Sequence, residues 1–114
     1  MNLSLISAML LTAAICIGIY LTFIGLRQKI RIPKLGYTHA ALALSGVTIL
    51  FFEIYTGSLS KLHNAAALFL VFAVIGGGIV FALHVKDKPP AMAAVAIHAL
   101  MGTVGLSLLL ISLS

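Results

Sequence analysis

Acidic residues are almost missing: two Asp and Glu stand against seven Lys and Arg in 114 residues. Charged side chains of both signs make up 8% of the chain, whereas a soluble domain carries about a quarter. Too little charge is present to cover a surface in water, so lipid must be the solvent for most of the chain. Tryptophan is absent, and Cys16 is the one cysteine. That excludes an intramolecular disulfide and a CxxC redox or zinc motif; Cys16 reads as a small hydrophobe inside a helix. A phosphate-binding loop is excluded too, because Gly76, Gly77 and Gly78 lie inside an apolar run with no lysine after them. No Ser/His/Asp set is suggested by spacing. The net charge of +5 raises nucleic acid as a partner. Its placement argues against that, since the basic residues fall in short gaps between apolar runs, the habit of membrane loops.

What the chain has instead is apolar length. Hydrophobic residues make up 62%, and four runs approach or exceed the roughly 20 residues needed to cross a bilayer core. They cover about residues 3–26, 35–56, 63–85 and 91–113. In lipid each must be a helix, because no water is there to satisfy open backbone groups. The first run has no basic residues before it, unlike a signal peptide, and reads as a retained helix. Pro33 and Pro90 fall near the starts of the second and fourth runs, where proline is tolerated. Short connections make consecutive helices antiparallel neighbours. The expected fold is an all-α, integral membrane, up-down four-helix bundle forming a single membrane domain over residues 1–114.

Direction follows from the loops. Arg27, Lys29, Arg31 and Lys34 surround the first loop, Lys86 and Lys88 lie in the third, and only Lys61 is in the second. Six of the seven basic residues thus share one side, which the positive-inside rule assigns to the cytoplasm. Both termini are expected outside, and a bacterial inner membrane is the expected location.

Shifting the sequence by 59 positions partly overlays its halves. His39, Ala40, Gly46 and Leu50 fall on His98, Ala99, Gly105 and Leu109, and Ala14, Gly18 and Lys29 fall on Ala73, Gly77 and Lys88. Two parallel-repeated helical hairpins would be related by a pseudo-two-fold axis along the membrane normal. That axis places His39 and His98 at one depth, on the basic side. His84 ends the third helix on that side, and His63 begins it on the other.

Ionisable residues within spans are expensive and face the bundle interior, which makes them functional candidates. Each of His39 and His98 is followed seven residues later by a glycine, Gly46 and Gly105. Seven residues is nearly two turns, so each glycine shares its histidine's face roughly 10 Å deeper. A macrocycle ligated by the histidine would reach that far, and glycine would let it pass the backbone. Two such histidines suit a bis-histidine haem b, with His84 as substitute ligand or propionate donor and the loop Lys and Arg as propionate partners. A chlorophyll-type pigment needs one axial histidine and similar clearance. Zinc is a further reading of the three histidines, but no cysteine or acid accompanies them except loop-borne Asp87. The plainer reading of the glycines is close helix packing.

Four helices with inward histidines near one face resemble the small membrane b-type cytochromes, the cytochrome b561-like proteins, across most of the chain. The resemblance implies electron transfer, with a quinone as candidate partner. Members of that family commonly bind two haems, through a second histidine roughly four turns further along the same helix. Here Glu53 stands fourteen residues after His39, and Ser112 fourteen after His98. The departure leaves one haem at most.

Glu53 is the one acid within a span. With Lys61 and His63 it is expected at the outer end, either as an interfacial ion pair or as a proton or quinone site. A small proton-coupled transporter using Glu53 is therefore a second class of function. A third is a non-catalytic structural or assembly subunit of a larger membrane complex, packed against other membrane subunits or a second copy of itself.

Overall fold

The computed structural model describes residues 2–29, 31–57, 61–86, 88 and 91–114. These form four α-helices: α1 (Leu3–Arg27), α2 (Pro33–Thr56), α3 (Lys61–Val85) and α4 (Met92–Leu113). All four are long and apolar enough to cross a membrane. At 1.5 Å per residue the 25 residues of α1 extend about 37 Å. The expected all-α four-helix architecture is what the chain adopts, with boundaries within two residues of those read from the apolar runs. Pro33 is the first residue of α2; Pro90 and Asp87 lie outside the described residues.

The helices are apolar nearly all round, as befits lipid on the outside. Met9, Ile19, Phe23, Phe52, Leu68 and Ile111 are all exposed. Several hydroxyls on these spans turn back on their own helix, while Ser7 donates across to the Gly46 carbonyl of α2 at 2.7 Å. Thr12, Thr22, Thr38, Thr56 and Ser107 each donate to the carbonyl four residues earlier, so that they need no water. Among the described residues no buried side-chain N or O atom lacks a partner.

Packing is tightest within two antiparallel hairpins, α1–α2 and α3–α4, and looser between them. The 59-residue repeat reappears as matching contacts. A Cβ on Gly46 would lie 2.8 Å from Leu11 Cγ, and one on Gly105 would lie 2.7 Å from Leu70 Cγ; Leu11 and Leu70 are themselves 59 apart. Each hairpin is thus closed by a leucine of its first helix seated on a glycine of its second.

The buried core is one-sided. Ala8, Leu11, Val47, Leu50, Ala66, Ala67, Leu70, Leu106 and Leu109 form it, all in the half of the bundle that contains the chain termini. Gly76 packs level with His98, and beyond the two histidines, towards the basic loops, the described buried residue is Ile24. Side-chain bridges hold the hairpins together there instead. Tyr37 meets Phe81 edge to face at 5.5 Å. Arg31 donates to the His84 carbonyl at 3.3 Å and to the Lys88 carbonyl at 3.1 Å.

Candidate functional site

His39 and His98 occupy the second turns of α2 and α4, near the basic-loop ends. Each looks first at the other helix of its own hairpin. His39 Nδ1 lies 2.6 Å from the Ala14 carbonyl, and His98 Nδ1 lies 2.7 Å from the Ala73 carbonyl. A carbonyl can only accept, so Nδ1 carries the proton in both rings and Nε2 holds the lone pair. The two rings then meet each other across the pseudo-two-fold axis, centroids 5.9 Å apart and planes 86° apart.

The sequence brings the rings there through glycines, but not those expected to serve the site. A Cβ on Gly18 would stand 2.9 Å from His39 Cε1, and one on Gly77 would stand 2.9 Å from His98 Cε1. These glycines of α1 and α3 give the imidazoles their seats. Gly46 and Gly105 do something different from the expected clearance for a macrocycle: the space at each is filled by Leu11 and Leu70. The physical reason is direction. The face of α2 that carries His39 looks at α1, so a glycine two turns along that face meets α1 as well. The signal for Gly18 and Gly77 was present in the 59-residue overlay.

His84 stays apart from the pair. It ends α3 roughly two turns beyond Gly77, where its carbonyl is tied to Arg31. Among the described residues no group of three or more His, Cys, Asp or Glu is placed to hold a metal ion.

A second polar cluster lies at the terminal end. The Glu53 carboxylate accepts from the backbone N–H of Ser4 at 3.1 Å and from the Ser4 hydroxyl. Ser4 Oγ lies 3.2 Å from His63 Nε2, and Ser112 Oγ lies 3.4 Å from the same nitrogen. Glu53 and His63 therefore share one site, as their positions beside the second loop suggested. Lys61 is exposed at the start of α3. Ser4 and Ser112 were not anticipated as partners, although the repeat pairs Ser4 with His63 and Glu53 with Ser112. All four residues thus come from two equivalent positions in each hairpin.

Two shallow apolar grooves face the lipid beside this cluster. One, of about 340 Å³, includes Phe51, Asn64, Leu68 and Val71. The other, of about 370 Å³, includes Leu110, Leu5, Met9 and Thr12. These are the same positions displaced by 59, so the grooves are symmetry mates.

No protein-family model matches the chain, and no curated protein or solved structure is significantly similar to it. The functional reading rests on these residues alone.

Proposed function

We propose that the chain is a membrane-embedded haem b-binding electron-transfer subunit with His39 and His98 as axial ligands. One observation carries the reading. Two imidazoles meet across the axis of the bundle, each with its Nδ1–H pinned to a carbonyl, which leaves Nε2 as the nitrogen that a metal would take. That second bond to the ring is the device by which proteins fix the tautomer and direction of a metal-binding histidine. The centroid separation also suits the group. Two imidazoles joined through one metal ion at about 2 Å per bond stand roughly 5–6.5 Å apart. Further support is the sparse core on the basic-loop side, where a macrocycle would part the hairpins rather than displace packed side chains.

His39 and His98 would hold the iron, with Gly18 and Gly77 setting ring position. Arg31, and His84 at the end of α3, stand on the side where propionates would emerge. The bound group would supply one-electron chemistry, which burial and axial ligation tune. The basic loops would face the cytoplasm of a bacterial inner membrane, by the distribution of Lys and Arg.

A second reading is favoured by the glycine–leucine seats and the apolar exterior: a structural subunit packed among other spans. A proton carrier built on Glu53 has less support, because Leu50, Ala66 and Leu109, all fully buried, form an apolar layer between the terminal cluster and the histidine pair.

The test is the visible absorption spectrum of protein purified from its native membrane, before and after dithionite. A sharp Soret band with resolved α and β bands on reduction is expected. His39→Ala and His98→Ala should each abolish it, whereas His63→Ala should leave it. A featureless spectrum overturns the haem reading and leaves the structural one.

A further inference from the structure

The Glu53–Ser4–His63 cluster can be followed hydrogen by hydrogen. Ser4 has one hydroxyl proton, and beside an ionised Glu53 that proton must point at the carboxylate, which can only accept. Ser4 Oγ then has only lone pairs to offer His63, so His63 Nε2 must donate to it. Ser112 gives its own proton to the Leu109 carbonyl at 2.5 Å, and it too can only accept from Nε2. The ionised form thus reads His63 Nε2–H to Ser4 O–H to Glu53 carboxylate, every bond in one direction.

The same Glu53, Ser4 and His63 atoms support the opposite polarity, at the cost of the longer Ser112 contact to Nε2. If Glu53 is protonated, its O–H donates to Ser4 Oγ, and Ser4 donates to the lone pair of His63 Nε2. The His63 proton then resides on Nδ1. The two forms differ by one proton and need no movement of the backbone.

We infer that Glu53, Ser4 and His63 form a proton-binding relay that takes one proton from the aqueous phase at the terminal end of the bundle. The transfer step is balanced. From protonated Glu53 and neutral His63 with its proton on Nδ1, the Glu53 proton passes to Ser4 Oγ as the Ser4 proton passes to His63 Nε2. A carboxylate, intact serine and an imidazolium result. Ser4 is a bridge that is unchanged at the end.

Burial gives the relay a mouth and a closed end. Glu53 is half-buried, whereas His63 is 7% exposed and Ser4 3%. Beyond His63 the next residues inward on α3 are Ala66, Ala67 and Leu70, all in the apolar core, and the buried hydroxyl one turn beyond Ser4, that of Ser7, gives its proton to the Gly46 carbonyl at 2.7 Å. The described groups facing the cluster are Asn2, which caps α1, Ser4 from α1, Glu53 from α2, His63 from α3 and Ser112 from α4, with Lys61 exposed at the start of α3. Because Glu53 also accepts from the Ser4 backbone N–H, the proton's arrival weakens a charge-assisted bond at the start of α1. The site therefore links protonation to how firmly α1 is held.

The experiment is infrared difference spectroscopy over a pH series, on the full chain in lipid nanodiscs. Glu53→Gln and His63→Gln assign the carboxyl and imidazole bands. In the unaltered protein the two bands should change together across one pH range. In Ser4→Ala they should separate into two independent changes, and in Ser4→Thr, which keeps the hydroxyl, they should again change together. Helix content by circular dichroism qualifies each variant as folded. Independent changes in the unaltered protein, or bands still joined in folded Ser4→Ala, overturn the relay. The outcome does not depend on whether a haem is bound.

Discussion

An imidazole placed in a membrane span needs a partner for its N–H, because lipid offers none. His39 and His98 find theirs on the backbone of the neighbouring helix, at Ala14 and Ala73. Reaching that backbone requires that nothing stand in the way, which is the role of Gly18 and Gly77. Gly18→Ala and Gly77→Ala should therefore displace the rings. Overpacking of this kind costs about 1–3 kcal/mol, so both variants should unfold at lower denaturant in detergent titrations. Gly25→Ala is the control: a Cβ there meets nothing within 4 Å, and its midpoint should stay or rise. Gly46→Ala and Gly105→Ala should also lose stability, because Leu11 and Leu70 occupy the space. Their effect should be on hairpin packing, with the ring contacts at Ala14 and Ala73 kept. Sequence periodicity identified the faces on which these glycines lie. It did not identify the neighbour on each face, since that depends on which helix stands opposite.

Each helix was legible from its apolar length because a bilayer leaves no other way to satisfy the backbone. The order of packing was legible from the short loops. The contacts that tie helix ends were less so. Asn2 is an example: its Oδ1 accepts from the backbone N–H of Ser4 at 2.9 Å and of Leu5 at 3.4 Å. It caps α1 as short polar side chains do elsewhere, yet in the sequence it is one polar residue before a long apolar run. Removing such a cap costs about 1 kcal/mol. Asn2→Ala should accordingly speed hydrogen exchange at the amides of Ser4 and Leu5, with α3 unchanged. Ser4 was equally hard to see as a site residue. Serine is common in apolar helices, and its importance comes from Glu53 and His63, 49 and 59 residues away. The internal repeat held this information in a form that can be read only once the two hairpins face each other.

At the scale of the molecule, both termini lie at one end of the bundle and both basic loops at the other. With Cys16 replaced by alanine, a single cysteine at Ser114 and one at Gln28 should react with a membrane-impermeant thiol reagent from opposite sides of sealed vesicles. Labelling of both from one side would contradict a four-span arrangement. The asymmetry of the core also has a mechanical meaning. The leucine and alanine packing near the termini acts as a fulcrum, and the basic-loop halves of the two hairpins are the arms of a pair of tongs. Stiffness falls along the arms, because an aromatic contact and an arginine bridge join them where close-packed side chains do not. The jaws carry the two imidazoles. A partner that pulled on the basic loops would part His39 from His98 well before it disturbed anything at the pivot, where Glu53 and His63 would hardly move.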